Sequence, residues 1–118
     1  MIQPLQSNDP LLVLPTNKGT AIINCRSIIR IEAISNYSRL HFADGKTLVV
    51  AKVLRWFEAQ LPAHQFIRTH RAHFINRDFI SHYISGASGK VQLLNGEWIE
   101  VARRKKTHFL QCLNGRAA

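Results

Sequence analysis

Short apolar runs separated by turn-forming residues dominate the first third of the chain. The segments "LLVLP" (11–15), "TAIIN" (20–24) and "IIRIEAIS" (28–35) are rich in Leu, Ile and Val, as β-strands are. The polar stretch "TNKG" (16–19) separates the first two. This pattern predicts a series of short strands that begins near Leu11.

Two later segments have the pattern of β-hairpins. In "SRLHFADGKTLVVA" (38–51), two β-prone runs flank Asp44-Gly45, and in "KVQLLNGEWIEV" (90–101) two such runs flank Asn95-Gly96. Asp-Gly and Asn-Gly suit the positive φ angles of a type I′ turn. We therefore predict two hairpins with turns of that type.

One interior segment, "KVLRWFEAQLP" (52–62), has a helical period instead. Val53, Leu54, Phe57 and Leu61 share one face of a helix, and Pro62 ends it. The spacing predicts an amphipathic helix of about three turns that covers the core.

The segment "FIRTHRAHFINRDFISHYIS" (66–85) alternates too irregularly for one long helix. We interpret it as short strands joined by a tight turn near Asn76-Arg77-Asp78. On an extended chain His70 and His73 would point to opposite sides of the sheet.

The last segment, "ARRKKTHFLQCLNG" (102–115), predicts a terminal helix. Phe109, Leu110 and Leu113 lie on one face, and Asn114-Gly115 is a stop signal. The predicted fold is mostly β with two short helices. We expect a flexible leader at 1–10, one domain at 11–113 and a tail at 114–118.

Composition narrows the class of protein. No run of about 18 apolar residues and no secretory signal is present in the sequence, which favours a cytoplasmic protein without a membrane partner. Cys25 and Cys112 are far apart in apolar stretches, which indicates reduced thiols rather than a disulfide framework.

The chain is strongly basic, with 16 Lys and Arg against 7 Asp and Glu, a net charge of +9. Residues 68–118 carry +6 of this excess and residues 1–67 carry +3. Such a balance suggests a polyanionic partner, nucleic acid first and an acidic membrane surface second. A merely solvated basic surface is the alternative.

Other chemistry has weaker support. Zinc needs three or four ligands, and His70 and His73 have no CxxC or comparable pair beside them. No nucleophile elbow, cysteine signature or Gly-rich phosphate loop is present in the sequence. We expect no catalytic site, no metal and no cofactor.

Nucleic-acid binding fits the residue types better. Basic residues occur at three predicted loops or element ends: "NYSR" (36–39), "HR" (70–71) and "RRKK" (103–106). Arginine donates paired hydrogen bonds to guanine and also binds phosphate.

Four blocks in this order, "IIRIEAISNYSRLHF", "LRWFEAQLP", "FIRTHRAHFIN" and "NGEWIEVARRKK", resemble the LytTR family of bacterial response-regulator output domains. The resemblance covers residues 11–113. It implies an elongated arrangement of small antiparallel sheets whose loops enter successive major grooves of double-stranded DNA, in transcription regulation. The residues that it places on DNA are Asn36, Tyr37, Ser38, Arg39, His70, Arg71, Arg103, Arg104 and Lys105.

Within that set we expect Arg71 and Arg103 to read base edges. Arg39, Arg104 and Lys105 would mainly bind phosphates. The resemblance also implies promoter direct repeats, with a second copy bound beside the first. Ala72 and Ala102 stand where family members often have serine. At Ala102 the change removes a hydroxyl suited either to capping the final helix or to contacting a phosphate.

Several nearby residues have structural interpretations instead. Tyr37 could wedge a turn, Asn76 could satisfy its own turn, and His73 and His82 could be half-buried strand residues. Trp56 and Trp98 are assigned to packing, and Phe74 and Ile75 to the anchor behind His70-Arg71. The competing functions are a basic module that holds an acidic protein without reading DNA and, with less support, RNA binding.

Overall fold

The computed structural model describes residues 9–115, so most of the expected leader and the last three residues of the expected tail lie outside the described residues. It measures 43 × 33 × 25 Å along its principal axes. Short strands and two α-helices make up most of residues 9–115, as the apolar pattern predicts. The elements are β1 (Leu11–Thr16), β2 (Gly19–Asn24), β3 (Ile28–Ile34), β4 (Tyr37–Phe42), β5 (Thr47–Val50), α1 (Leu54–Gln60), β6 (Phe66–His70), β7 (His73–Asn76), β8 (Ile80–Ile84), β9 (Gly89–Leu93), β10 (Trp98–Val101) and α2 (Lys106–Gly115).

The strands form three antiparallel sheets. The central sheet has the order β5-β4-β3-β7-β6, with the β1-β2 hairpin and the β10-β9-β8 sheet as separate units. One-turn 3₁₀ helices at Cys25–Ser27, Arg77–Phe79 and Arg103–Lys105 connect neighbouring elements. The expected small antiparallel sheets are therefore confirmed.

Both faces of the central sheet are covered, so the domain has two hydrophobic cores. Leu14 of β1 and Phe57 of α1 pack with Ile31 on one face. Val91 of β9 and Phe109 of α2 pack with Ile75 on the other. Alternate residues of a strand point to opposite faces, which lets β3 and β7 contribute to both cores.

Both predicted hairpins form, but their turns are not type I′. A type I′ turn needs positive φ at both central residues. Gly45 and Gly96 have φ angles of 89° and 94°, but Asp44 and Asn95 do not have positive φ, since Ser35 is the one non-glycine residue that does in the described part of the chain. The Gly45 and Gly96 amides donate to the carbonyls of Phe42 and Leu93. This is the three-residue loop in which a type I turn precedes a left-handed glycine.

Both predicted helices form, but their lengths and buried residues differ from the prediction. Helix α1 spans 7 residues, about two turns, and Val53 is 51% exposed because it is the N-cap rather than part of the buried face. In α2, Phe109 is fully buried and Leu113 packs beside it, but Leu110 is 37% exposed. Cys112, not Leu110, completes the buried face.

The two tryptophans differ. Trp56 packs against the first core and meets the Phe57 ring edge-on, with centroids 5.0 Å apart. Trp98, expected to pack, is 47% exposed because the outward positions of β10 face no further layer.

Both cysteines of the chain are free thiols in the structure. Cys25 is buried, and this burial raises the pKa of its thiol to about 11. Cys112 is partly buried, with Sγ 3.4 Å from His108 Nε2. No helix among residues 9–115 is long and apolar enough to cross a membrane.

A buried arginine ties the central sheet to the β10-β9-β8 sheet. Arg30 of β3 donates from Nε and Nη2 to the two carboxylate oxygens of Glu97, both at 3.1 Å. These bonds lower the pKa of Glu97 to about 2. Glu97 follows the Asn95-Gly96 turn, so the pair fixes that hairpin against β3.

We predict that Glu97→Gln lowers the free energy of unfolding at pH 7 by about 1–2 kcal/mol, because Arg30 loses its charged partner. The loss stays in this range because the glutamine oxygen still accepts one hydrogen bond and because water screens the partly exposed pair. The ordinary pKa of 4.5 exceeds the folded value, so the ionised carboxylate stabilises the fold above pH 4.5 and this contribution disappears as pH falls towards 2.

Urea unfolding of both proteins at pH 7 and about pH 3 measures the effect. The difference in stability between them should shrink at the lower pH. Glu100→Gln, on a side chain 60% exposed, is the matched control. A pH-independent difference would contradict the assignment.

Candidate nucleic-acid interface

The first turn of the candidate interface joins β3 to β4. Ile34 pairs with Tyr37, which leaves Ser35 and Asn36 as a two-residue turn, and both are exposed. Ser35 has a φ angle of 55°, a conformation that costs a non-glycine residue free energy. Tyr37 is 50% exposed. Asn36 and Tyr37 therefore lie on the surface, as a contact role requires.

The second turn joins β6 to β7 and was not predicted from the sequence. His70 pairs with His73 across Arg71 and Ala72, so the chain reverses in the middle of "RTHRAHFIN". The two imidazoles face each other, with ring centroids 5.3 Å apart. The expectation that they point to opposite sides of one extended strand is wrong, because it assumed no turn at this position.

Hydrogen bonds hold this turn closely. The Ala72 amide donates to His70 Nδ1 at 3.1 Å, and the Ala72 carbonyl accepts from the Ala33 amide at 2.9 Å. Arg68 donates to the carbonyls of His70 and Arg71 at 2.9 and 2.7 Å. Arg71 itself is exposed. The turn thus presents the Arg71 side chain from a well-fixed backbone.

Pairing between strands brings the two turns side by side. Glu32 of β3 lies opposite His73 of β7 on one side and opposite Arg39 of β4 on the other. Both turns therefore emerge at the same end of the central sheet. An open depression of about 420 Å³ lies between them, with Ser35, Tyr37, Arg68 and Arg71 among its lining residues.

The third basic segment adjoins the second turn from the other side. The Ala102 amide donates to the carbonyl of buried Thr69 at 2.7 Å, which attaches the start of the 3₁₀ helix Arg103–Lys105 to β6. Ala102 makes no side-chain cap bond, as expected with alanine in place of serine. An open depression of about 610 Å³ results, lined by His70, Arg71, Ala102, Arg104, Lys105 and His108.

Arg71 lines both depressions, so it links the first turn to the basic helix start. Of the nine expected contact residues, these depressions bring together Tyr37, His70, Arg71, Arg104 and Lys105. Asn36 is exposed in the turn beside Tyr37. The result is one continuous basic surface at one end of the domain.

Besides Asn36, three of the nine expected residues do not line these depressions. Ser38 is fully buried and donates from Oγ to the Lys52 carbonyl at 2.6 Å. The Ser38 side chain is therefore not available at the surface as expected, because β4 has already begun and turns this residue inward. Arg103 is exposed and donates from Nε to the Ala87 carbonyl at 3.4 Å.

Arg39 is the third. Its side chain is 43% exposed, with Nη1 3.6 Å from Glu32 Oε1. Partial burial raises the pKa of Glu32, but the His41 hydrogen bond and the charges of Arg30 and Arg39 outweigh it and lower the pKa overall. Arg39 thus lies beside the ionised carboxylate of Glu32, and part of its side chain remains exposed to solvent.

The remaining polar residues mostly support the fold. Asn76 is buried, donates to the Ile28 carbonyl at 2.8 Å and accepts from the Asp78 amide, which confirms its role in the connection to Arg77–Phe79. His73 is half-buried, and burial lowers its pKa. His82 is exposed rather than half-buried. Within residues 9–115, no three His, Cys, Asp or Glu side chains are grouped so as to hold a metal.

Sequence reasoning missed Ser35, Arg55, Arg68 and His108, all of which line the depressions. Ser35 directly precedes the "NYSR" block, and Arg68 lies two residues before "HR". The short distance of Ser35 and Arg68 from these basic blocks in the sequence was the signal that could have identified both residues. Arg55 lies on the exposed side of α1, and its place beside Arg71 depends on packing.

The sequence matches the LytTr DNA-binding domain family over residues 18–114. The chain belongs to the LytTR family. This LytTR domain is also similar to a solved structure, the LytTr DNA-binding domain of a response regulator from Bacillus cereus. The TM-score is 0.76 at 22% identity, with 90% of this chain and 98% of that chain covered, which confirms the fold. No significant match was found among curated protein sequences.

The bond between the Ala72 amide and His70 Nδ1 yields a prediction about stability. His70→Leu removes the acceptor and should lower the free energy of unfolding by about 1 kcal/mol. His70→Asn should lose less, because an asparagine Oδ1 accepts from the amide two residues ahead in an Asx turn. Thermal unfolding compares them. Equal losses would show that the acceptor contributes nothing.

Proposed function

We propose that this LytTR domain binds double-stranded DNA in a sequence-specific manner in transcription regulation. The observation that supports it best is the position of Arg71, exposed at the tip of a rigid turn between two open depressions. DNA binding is a property of the family to which the chain belongs. The groove contacts and their division among residues are our inference.

In this proposal Arg71 enters a major groove and donates two hydrogen bonds to a guanine. Asn36 and Tyr37 approach the DNA from the neighbouring turn. Arg104 and Lys105, across the second depression from Arg71, bind the phosphates and set the register. A rigid backbone behind Arg71 suits this role because the freedom lost on binding is then small.

Arg103 is proposed to read bases in the adjacent groove, with Arg39 on a phosphate. The bond from Arg103 to Ala87 is long at 3.4 Å and lies at the surface, so exchange for a base acceptor costs little. Arg39 shares Glu32 with Arg30 and His41, which leaves part of its charge available. A second copy on a direct repeat would extend the contact.

The competing proposal is a basic module that holds an acidic protein. It needs only positive charge, whereas DNA readout needs Arg71 in a defined geometry. Selection from a random duplex pool separates the two. An enriched motif supports DNA readout, and a pool without enrichment at moderate salt supports the acidic partner. Salt dependence alone does not, since any basic surface shows it.

For the selected site, we predict that Arg71→Ala costs about 1–3 kcal/mol of binding free energy and relaxes preference at one position. Fluorescence anisotropy with the selected duplex and single-base variants of it measures both quantities. Unchanged affinity and preference would refute base reading by Arg71.

Lys105→Ala should weaken binding to all duplexes alike and reduce the salt slope by about one, as expected for a phosphate contact. Salt titration of the dissociation constant tests this. Lys46→Ala is the matched control, because Lys46 is exposed in the β4-β5 turn at the opposite end of the central sheet. An effect of Lys46→Ala equal to that of Lys105→Ala would indicate a general charge effect.

A further inference from the structure

The guanidinium of Arg68 makes three directed contacts beneath the β6-β7 turn. Nε donates to the His70 carbonyl at 2.9 Å and Nη2 to the Arg71 carbonyl at 2.7 Å. Nη1 donates to Glu58 Oε1 at 2.6 Å. Its side chain is 20% exposed, so most of it lies under the turn rather than in solvent.

Glu58 belongs to α1, on the far side of Arg68 from the turn. Its carboxylate orients the guanidinium so that the other two donors face the turn carbonyls. A charge-assisted hydrogen bond at this distance is strong and directional. Helix α1 is anchored in the core by Leu54 and Phe57, so the position of the turn is linked to a rigid element.

These contacts leave the turn backbone little freedom. Arg68 holds the two carbonyls that flank the Arg71 Cα, those of His70 and Arg71. The Ala72 amide donates to His70 Nδ1, and the Ala72 carbonyl accepts from the Ala33 amide. The direction of the Arg71 side chain follows from this backbone. Paired hydrogen bonds to a base edge need donors placed within a narrow range of angle and distance.

We propose that Arg68, oriented by Glu58, is a positioning residue that determines how well Arg71 discriminates between sequences. This inference rests on the proposed function. Arg68 touches no base in this scheme and acts through the turn. Arginine is required because its planar fork supplies three donors in fixed directions, which a lysine ammonium does not.

The alternative is that Arg68 binds a phosphate directly, since it lines the depression beside Arg71. The two roles differ in salt dependence. A lost phosphate contact reduces the slope of log K against log salt by about one. A lost positioning contact leaves the slope unchanged and lowers the ratio of affinities for the selected and scrambled duplexes.

The experiment is a double-mutant cycle on the full chain, with Arg68→Ala and Arg71→Ala singly and together. Binding to the selected and scrambled duplexes is measured at several salt concentrations. We expect Arg68→Ala to lower the affinity ratio by about ten-fold with an unchanged salt slope. In the Arg71→Ala background it should lower the ratio little further.

Three further variants separate positioning from general destabilisation. Arg68→Lys should behave like Arg68→Ala, and Glu58→Ala, which removes the carboxylate that orients Arg68, should lower the ratio by a smaller factor. Arg77→Ala is the matched control, because Arg77 also donates to a backbone carbonyl, that of His64, but at the opposite end of β6. It should lower thermal stability and leave the ratio unchanged.

An unchanged ratio in Arg68→Ala, an additive effect with Arg71→Ala, or a reduced salt slope would each overturn the positioning role. If the wild-type chain prefers no sequence, the proposed function fails and this inference fails with it. If the wild type and Arg71→Ala behave as proposed but Arg68→Ala keeps the full ratio, only the positioning role fails.

Discussion

The candidate interface depends on the pairing of β3 with β4 on one side and with β7 on the other. Because Glu32 lies opposite both Arg39 and His73, the β3-β4 and β6-β7 turns emerge together. A shift of one residue in either register would turn every side chain of that strand to the other face. Ile28, Ile29 and Ile31 are all buried, so both cores resist such a shift. The burial that stabilises the fold therefore also places the two turns.

Internal ion pairs separate the structural arginines from those on the surface. Arg30 is paired with Glu97, Arg68 with Glu58, and Arg39 in part with Glu32. Three of the seven acidic side chains, Glu32, Glu58 and Glu97, thus pair with arginines of the same chain. The depression around Arg71 is lined by other cations, Arg104 and Lys105. Arg30 is thus used within the fold, whereas Arg71, Arg104 and Lys105 line the open depression.

Short-range chemistry explains why much of the fold was predictable. Both hairpins were found from Asp44-Gly45 and Asn95-Gly96, and α1 from the spacing of Leu54 and Phe57. Errors arose where local signals were ambiguous. The turn at Arg71-Ala72 has no glycine, proline or asparagine, and it is held by His70, Arg68 and a neighbouring strand. Val53, Leu110 and Trp98 were expected to be buried but are exposed. Val53 is the N-cap of α1, Cys112 takes the buried position in α2, and no further layer covers the outward side of β10.

The sequence by itself determined the family, the strand-rich class and the three basic blocks, because these follow from residue types and local spacing. Only the tertiary structure decided which basic residues meet. It placed Arg71 between two depressions, buried Ser38, held Arg103 beside the β8-β9 loop and fixed Arg68 under the turn. These outcomes depend on strand register and on contacts between residues far apart in the chain, such as Ala33 with Ala72 and Thr69 with Ala102. Local propensity carries no information about such contacts.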